Sequence, residues 1–243
     1  RYFGNEVFAE FSNGALELPF VGMIVGACAT VLSPVISRLS HQNIDPQKEL
    51  YTLWLSVFEK SAKLVYPLVI YCVVFADVVM TILYGQQYEV SATYFRIKSV
   101  YSFFAVIIYA PIIINTGKVK QYSNVHMYAA LSIIVLEFLS VKLINSPYAI
   151  SVISLLIQLG KTFALMHIVA KYFNVNFLKL FPGKIIAKIL LPSFIILLLE
   201  HYLFVYILEL NSIITLFSSF FIYIILYLVI SKIIKVDYIS IIK

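Results

Sequence analysis

ILYGQQYEVSATYFRI, residues 82–97, joins two long apolar runs through a short polar bend and sets Arg96 just inside the second run. What an arginine does there depends on what surrounds the runs. The chain of 243 residues is 62% hydrophobic and 12% charged, with a mean hydropathy of +0.95. A soluble domain is roughly half apolar and about a quarter charged, so this balance points to a membrane as the solvent. Apolar runs near 20 residues, the length a helix needs to cross hydrocarbon, recur about seven times. They fall near 8–36, 62–83, 92–115, 122–143, 148–170, 185–206 and 212–230. Run length selects helices, because a barrel strand needs only about 10 residues of alternating pattern. The expected fold class is all-α, a polytopic membrane helix bundle with about seven transmembrane helices.

Lysine and arginine in short loops favour the cytoplasmic side. Alternate connections collect Arg38, Lys48, Lys60 and Lys63, then Lys118 and Lys120, then Lys171, Lys179, Lys184 and Lys188, then Lys232, Lys235 and Lys243. The opposite connections hold Arg1 and Lys142, while Arg96, Lys98 and Lys161 fall within spans. This pattern puts residue 1 outside and residue 243 in the cytoplasm. It also accounts for the net charge of +6 and a pI near 9.1 through topology and anionic headgroups, with no nucleic-acid partner. Cys28 and Cys72 sit in apolar runs without metal or disulfide spacing, so no metal and no cofactor is expected. The chain starts at Arg1 with neither a methionine nor a basic-then-apolar leader, and is read as part of a longer protein. In the first inside connection, Asp45 and Pro46 read as the N-cap and first position of a helix. Its apolar face, Leu50, Leu53, Trp54, Val57 and Phe58, is expected on the membrane surface, or the helix is a solvated linker.

The run GALELPFVGMIVGACATVLSPVISRLS, residues 14–40, has a Leu-Pro, a series of small residues and a Ser-Pro before a basic loop. It resembles one helix of the bacterial polysaccharide and oligosaccharide flippases. LYGQQYEVSATYFRI, residues 83–97, resembles a turn of the same proteins, where a Gly and an aromatic precede a helix start rich in small residues. These flippases belong to the multidrug, oligosaccharidyl-lipid and polysaccharide exporter superfamily. The resemblance implies that the chain corresponds to the carboxy-terminal lobe of a fourteen-helix flippase, from its eighth helix to its end. The amino-terminal lobe and seventh helix would then be missing partners. Residues 1–170 would form a partial lobe of about five helices, and 171–243 an inner loop plus a peripheral extra helix pair.

The implied function is transport. An undecaprenyl-pyrophosphate-linked oligosaccharide, the repeat unit of an O-antigen, capsule or exopolysaccharide, would be flipped across the bacterial inner membrane by alternating access. Lipid-linked oligosaccharide and membrane lipids are the expected partners. No substrate bond breaks in such a step, so no enzyme activity and no catalytic residue is expected. The alternatives are a membrane enzyme of polysaccharide assembly, a polymerase or acyltransferase, and a non-transporting membrane subunit. The enzyme reading calls for a sizeable outer loop or a His/Asp motif, whereas His41, His126, His167 and His201 are scattered.

Polar residues inside spans are costly and face a cavity or a partner. Ser151, Ser154, Gln158, Lys161 and Thr162 share roughly a 100° arc of one helix, with Gly160 and His167 on the other side. Lys161, Gln158 and Ser154 are read as lining the path of the sugar-lipid headgroup, with Lys161 attracting its phosphates; alternatively Lys161 pairs with Glu137 of the preceding span. Arg96 is either an anion ligand at the outer mouth of a cavity or a headgroup anchor, on a face that Lys98 does not share. Glu10, Asn13 and Glu17 share one face of the first span, and Gly22, Gly26 and Thr30 form an opposite small stripe suited to close helix packing. Glu17 is read as an ion-coupling group or as the partner of a basic residue. Asp77 reads as a weaker candidate near the bend, and Glu200 and His201 as peripheral.

Overall fold

The computed structural model describes residues 2–41 and 49–238, and its regular elements there are helices. Eleven α-helices follow in chain order: α1 (Gly4–Gly14), α2 (Pro19–His41), α3 (Tyr51–Val74), α4 (Ala76–Tyr84), α5 (Ser91–Val100), α6 (Ser102–Ala105), α7 (Ala110–Asn115), α8 (Val119–Leu143), α9 (Pro147–Phe173), α10 (Gly183–His201) and α11 (Ser212–Ile233). A π-helical turn, Tyr202–Ile207, extends α10. Five of these, α2, α8, α9, α10 with its π turn, and α11, are long and apolar enough to cross a membrane. The pair α3 and α4, bent by 74°, makes a sixth if it counts as one span. This is a polytopic helical bundle with fewer unbroken spans than the seven apolar runs suggest.

The differences lie where the backbone breaks. The run at 8–36 is two helices separated at residues 15–18, and the run at 92–115 is the three short helices α5, α6 and α7. Hydropathy measures only the cost of leaving water, so it cannot separate one straight helix from several apolar short ones. Pro19 starts α2 and Pro111 opens α7, positions where a missing N–H costs nothing. The 74° bend between α3 and α4, at Phe75, is not at a proline.

The chain forms two compact units. The first holds residues 1–18, 63–99 and 183–243, and the second holds 19–62 and 100–182. In the first unit, α11 packs on α4 and α10. Tyr71, Phe75 and Tyr223 stack at ring separations of 5.1 and 6.0 Å. Both helices of the final pair belong to this unit, and the outer face of α11, with Phe217 and Phe221, is exposed. A cluster of Ala76, Met80, Ala92 and Phe95 fills the space beneath α1, α4 and α5, with Leu16, Leu18 and Cys72 against it.

The second unit is centred on α3's first half. Leu50, Trp54 and Phe58 are at most 2% exposed. Trp54 stacks on Phe58 and lies 5.9 Å from the Phe173 ring of α9. The face expected to lie on a membrane surface is thus mainly buried against protein; Asp45, Pro46 and Lys48 fall outside the described residues. On the neighbouring break between α6 and α7, the Trp54 indole N–H donates to the Ile108 carbonyl at 2.7 Å. α7 is tied to α2 by the Asn115 amide, which donates to the Ser33 hydroxyl at 3.0 Å.

Two glycines give opposite readings of the small residues. A Cβ at Gly14 would collide with the Tyr94 Cβ and lie 2.6 Å from the Ser91 carbonyl oxygen, so α1 and α5 touch there through backbone. At Gly22 and Gly26 a Cβ would meet nothing within 4 Å. The stripe expected to mediate close packing is therefore an open face among the described residues. Gly14→Ala should cost about 1–3 kcal/mol through overpacking. Gly22→Ala should be neutral or stabilising by up to about 1 kcal/mol through helix propensity. Thermal unfolding of the two variants in detergent measures the contrast.

Candidate functional site

Asp77 occupies the first turn of α4, where the helix dipole favours a carboxylate. The 74° break just before it leaves carbonyls at the end of α3 without their usual i+4 donors. Arg96 of α5 answers this. Its Nε donates to the Val73 carbonyl at 3.1 Å, one Nη donates to the Val74 carbonyl at 3.5 Å, and the same Nη lies 3.4 Å from Asp77. The His201 Nε2, from the end of α10, is 2.9 Å from the other Asp77 oxygen. The guanidinium fork, with donors fixed in one plane, suits two adjacent carbonyls and a carboxylate better than a single ammonium would.

Arg96 is therefore tied to the bend, and its charge is matched by Asp77. Lys98, on a different face as expected, pairs with Glu17 at 3.3 Å. Glu17 sits in the break between α1 and α2, largely exposed, so the helical face drawn through Glu10, Asn13 and Glu17 does not exist. Asp77 and His201 carry more of this site than their places in the sequence suggest. An acid in the first turn of an apolar helix was a legible signal, but a pairing 124 positions away was not.

In the second unit α8 and α9 form an antiparallel pair. Asn145 turns the chain between them in the left-handed region, with φ 49°, and its N–H caps the Ser140 carbonyl. Pro147 opens α9 at a position that tolerates it, and Asn174 closes it with φ 52°. Lys118 at the start of α8 lies over the Tyr172 ring, 5.3 Å from its centroid, so the basic ends of the two helices coincide.

Between the pair runs an open groove of about 360 Å³. Val125, Ala129 and Leu136 of α8 face Ile157, Gly160 and Ala164 of α9, and Lys161, Ser132 and Tyr128 complete the lining. The groove side of α9 is thus the Gly160 side, and the expected polar arc meets it only at Lys161. Ser154 hydrogen-bonds to the Glu137 carboxylate across the helix pair. Lys161 Nζ donates to the Gln158 amide oxygen at 2.9 Å. Thr162 is fully buried and Ser151 partly so. Glu137 is consequently matched to Ser154, and the expected Lys161–Glu137 pair is absent. Lys161 has three N–H donors, of which Gln158 takes one. His126 of α8, whose Nε2 has no hydrogen-bond partner among the described residues, lies within electrostatic reach of Lys161. It had looked like a scattered histidine because the face joining it to Lys161 is made by two helices.

A family model described as "Polysaccharide biosynthesis protein" matches residues 3–93, the stretch from α1 to the start of α5. The match supports a relationship to polysaccharide flippase-like proteins. No curated protein and no solved structure matches the chain.

Removing the Arg96 side chain strands two carbonyls and a carboxylate at the bend. Arg96→Ala should lower stability by about 1–3 kcal/mol, reduced from a fully buried case because the side chain is 40% exposed. Arg96→Lys should recover only part of this. Chemical denaturation of the purified variants reads the order.

Proposed function

With the relationship to polysaccharide biosynthesis as premise, we propose that this chain takes part in flipping an undecaprenyl-pyrophosphate-linked oligosaccharide across the bacterial inner membrane, as one portion of a larger transporter. The observation that carries the reading is the groove between α8 and α9, whose walls are mainly apolar and whose cation among the described residues is Lys161. An isoprenoid phosphate is an amphiphile with the same division, a hydrocarbon chain joined to an anionic head. Apolar groove walls favour the chain, and an ammonium with uncommitted donors favours the phosphate oxygens. Gln158 holds Lys161 in place without neutralising it.

Reorienting such a lipid breaks no covalent bond, so the proposal assigns no nucleophile and no enzymatic step. Alternating access needs elements that bend, and the α3–α4 break with its Arg96 and Asp77 is of that kind. The amino-terminal lobe implied by the resemblance would supply the remaining wall of the pathway. The clustering of Lys118 and Lys171 at one end of the α8–α9 pair supports an arrangement with that end cytoplasmic, residue 1 outside and residue 243 inside.

Lys161→Ala and Lys161→Arg are compared with wild type in a polysaccharide export assay at matched protein levels. The alanine variant should export about tenfold less or lower, as expected for loss of one charged hydrogen bond, and the arginine variant should retain most activity. Full export by the alanine variant removes Lys161 from the pathway.

A further inference from the structure

Glu200 of α10 is 5% exposed, and neither of its carboxyl oxygens has a hydrogen-bond partner among the described residues. No ion pair within the first unit reaches it among those residues. The groups facing it are hydroxyls: Tyr71 from α3 and Tyr223 from α11 both lie within electrostatic reach. On its own helix the neighbouring titratable group is His201, whose Nε2 is held by Asp77 of α4, the acid that also pairs with Arg96 of α5.

The hydroxyl protons around Glu200 are already committed. Tyr71 donates to the Leu216 carbonyl at 2.6 Å and shares a 3.0 Å contact with Ser219, which also reaches Leu216. Tyr223 donates to the Pro67 carbonyl at 3.2 Å. Ser193, two turns earlier on α10, donates to the Ile189 carbonyl at 2.8 Å. What remains on these oxygens is lone pairs. A bare carboxylate, which can only accept, finds no donor among them, and burying it unpaired is far costlier than burying a neutral acid. A neutral carboxylic acid suits such a setting, because it brings no charge that would have to be matched.

We propose that Glu200 is a proton-binding site inside the first unit. It takes a proton from water to become a neutral carboxylic acid, and it returns that proton when the site opens. This does not depend on the transport reading. Its position gives it a route to the rest of the unit. Glu200 directly precedes His201, the residue that holds Asp77 at the α3–α4 bend, and the π turn Tyr202–Ile207 follows. π turns are uncommon and concentrate at functional sites. A negative charge appearing at Glu200 arises one residue from the His201–Asp77 pair, so loss of the proton is felt at the bend.

Infrared spectroscopy of the purified full chain tests this. At neutral pH the wild type should show a protonated carboxylic C=O band that shifts on H/D exchange and on labelling with 13C-glutamate. Glu200→Gln, which reproduces the neutral acid in shape, should lose the band and keep the wild-type melting temperature. The same band should persist when sodium replaces N-methylglucamine at fixed pH. Absence of a glutamate band in labelled wild type, which requires no variant, overturns the proposal. So does a band that survives in Glu200→Gln, or one that disappears when sodium is added, which would make sodium the resident ion.

Discussion

In an apolar surround, a backbone carbonyl or N–H has no water to fall back on, and each break in a helix must be closed by another donor. The architecture of this chain follows from that constraint. At the α3–α4 bend the donor is Arg96, which reaches the Val73 and Val74 carbonyls. At the α6–α7 break it is the Trp54 indole, buried against Ile108. Within α3, Pro67 has no N–H to give the Lys63 carbonyl, and the Tyr238 hydroxyl reaches that oxygen at 3.2 Å. In each case a polar tip on an otherwise apolar or amphipathic side chain allows an irregular backbone to stay among hydrocarbon.

The same economy of donors distinguishes the two ionisable centres. Asp77 is surrounded by them, with Arg96 on one side and His201 on the other. Glu200, the residue before His201, has no donor among the described residues. Two acids on neighbouring elements of one unit are therefore placed in opposite settings, one matched by cations and the other suited to a neutral form. In the second unit Glu137 is in an intermediate position, accepting from Ser154 across the α8–α9 pair and leaving Lys161 to the groove. A polar stripe on a membrane helix thus divides between residues that bind the helices together and one that faces open space.

Long-range pairing explains why some residues were misjudged. His201 looked peripheral because it follows a long apolar run, yet it closes onto Asp77. The aromatic face at Trp54 looked interfacial because its apolar residues recur with helical spacing, and that spacing is identical for a helix lying on lipid and one lying on protein. Gly22 and Gly26 looked like a packing stripe, but a small residue permits close approach without requiring it.

What the sequence alone determined is the solvent and the class of fold. A composition this apolar, arranged in runs of helix-spanning length, leaves the helical bundle as the arrangement that satisfies its backbone internally. Tertiary structure alone decided which runs are broken, what each charge meets, and that the groove lies on the Gly160 side of α9. The reason is physical. Run length and periodicity are properties of a single segment, whereas a hydrogen bond such as Arg96 to Val73 or Tyr223 to Pro67 depends on where a distant segment comes to rest.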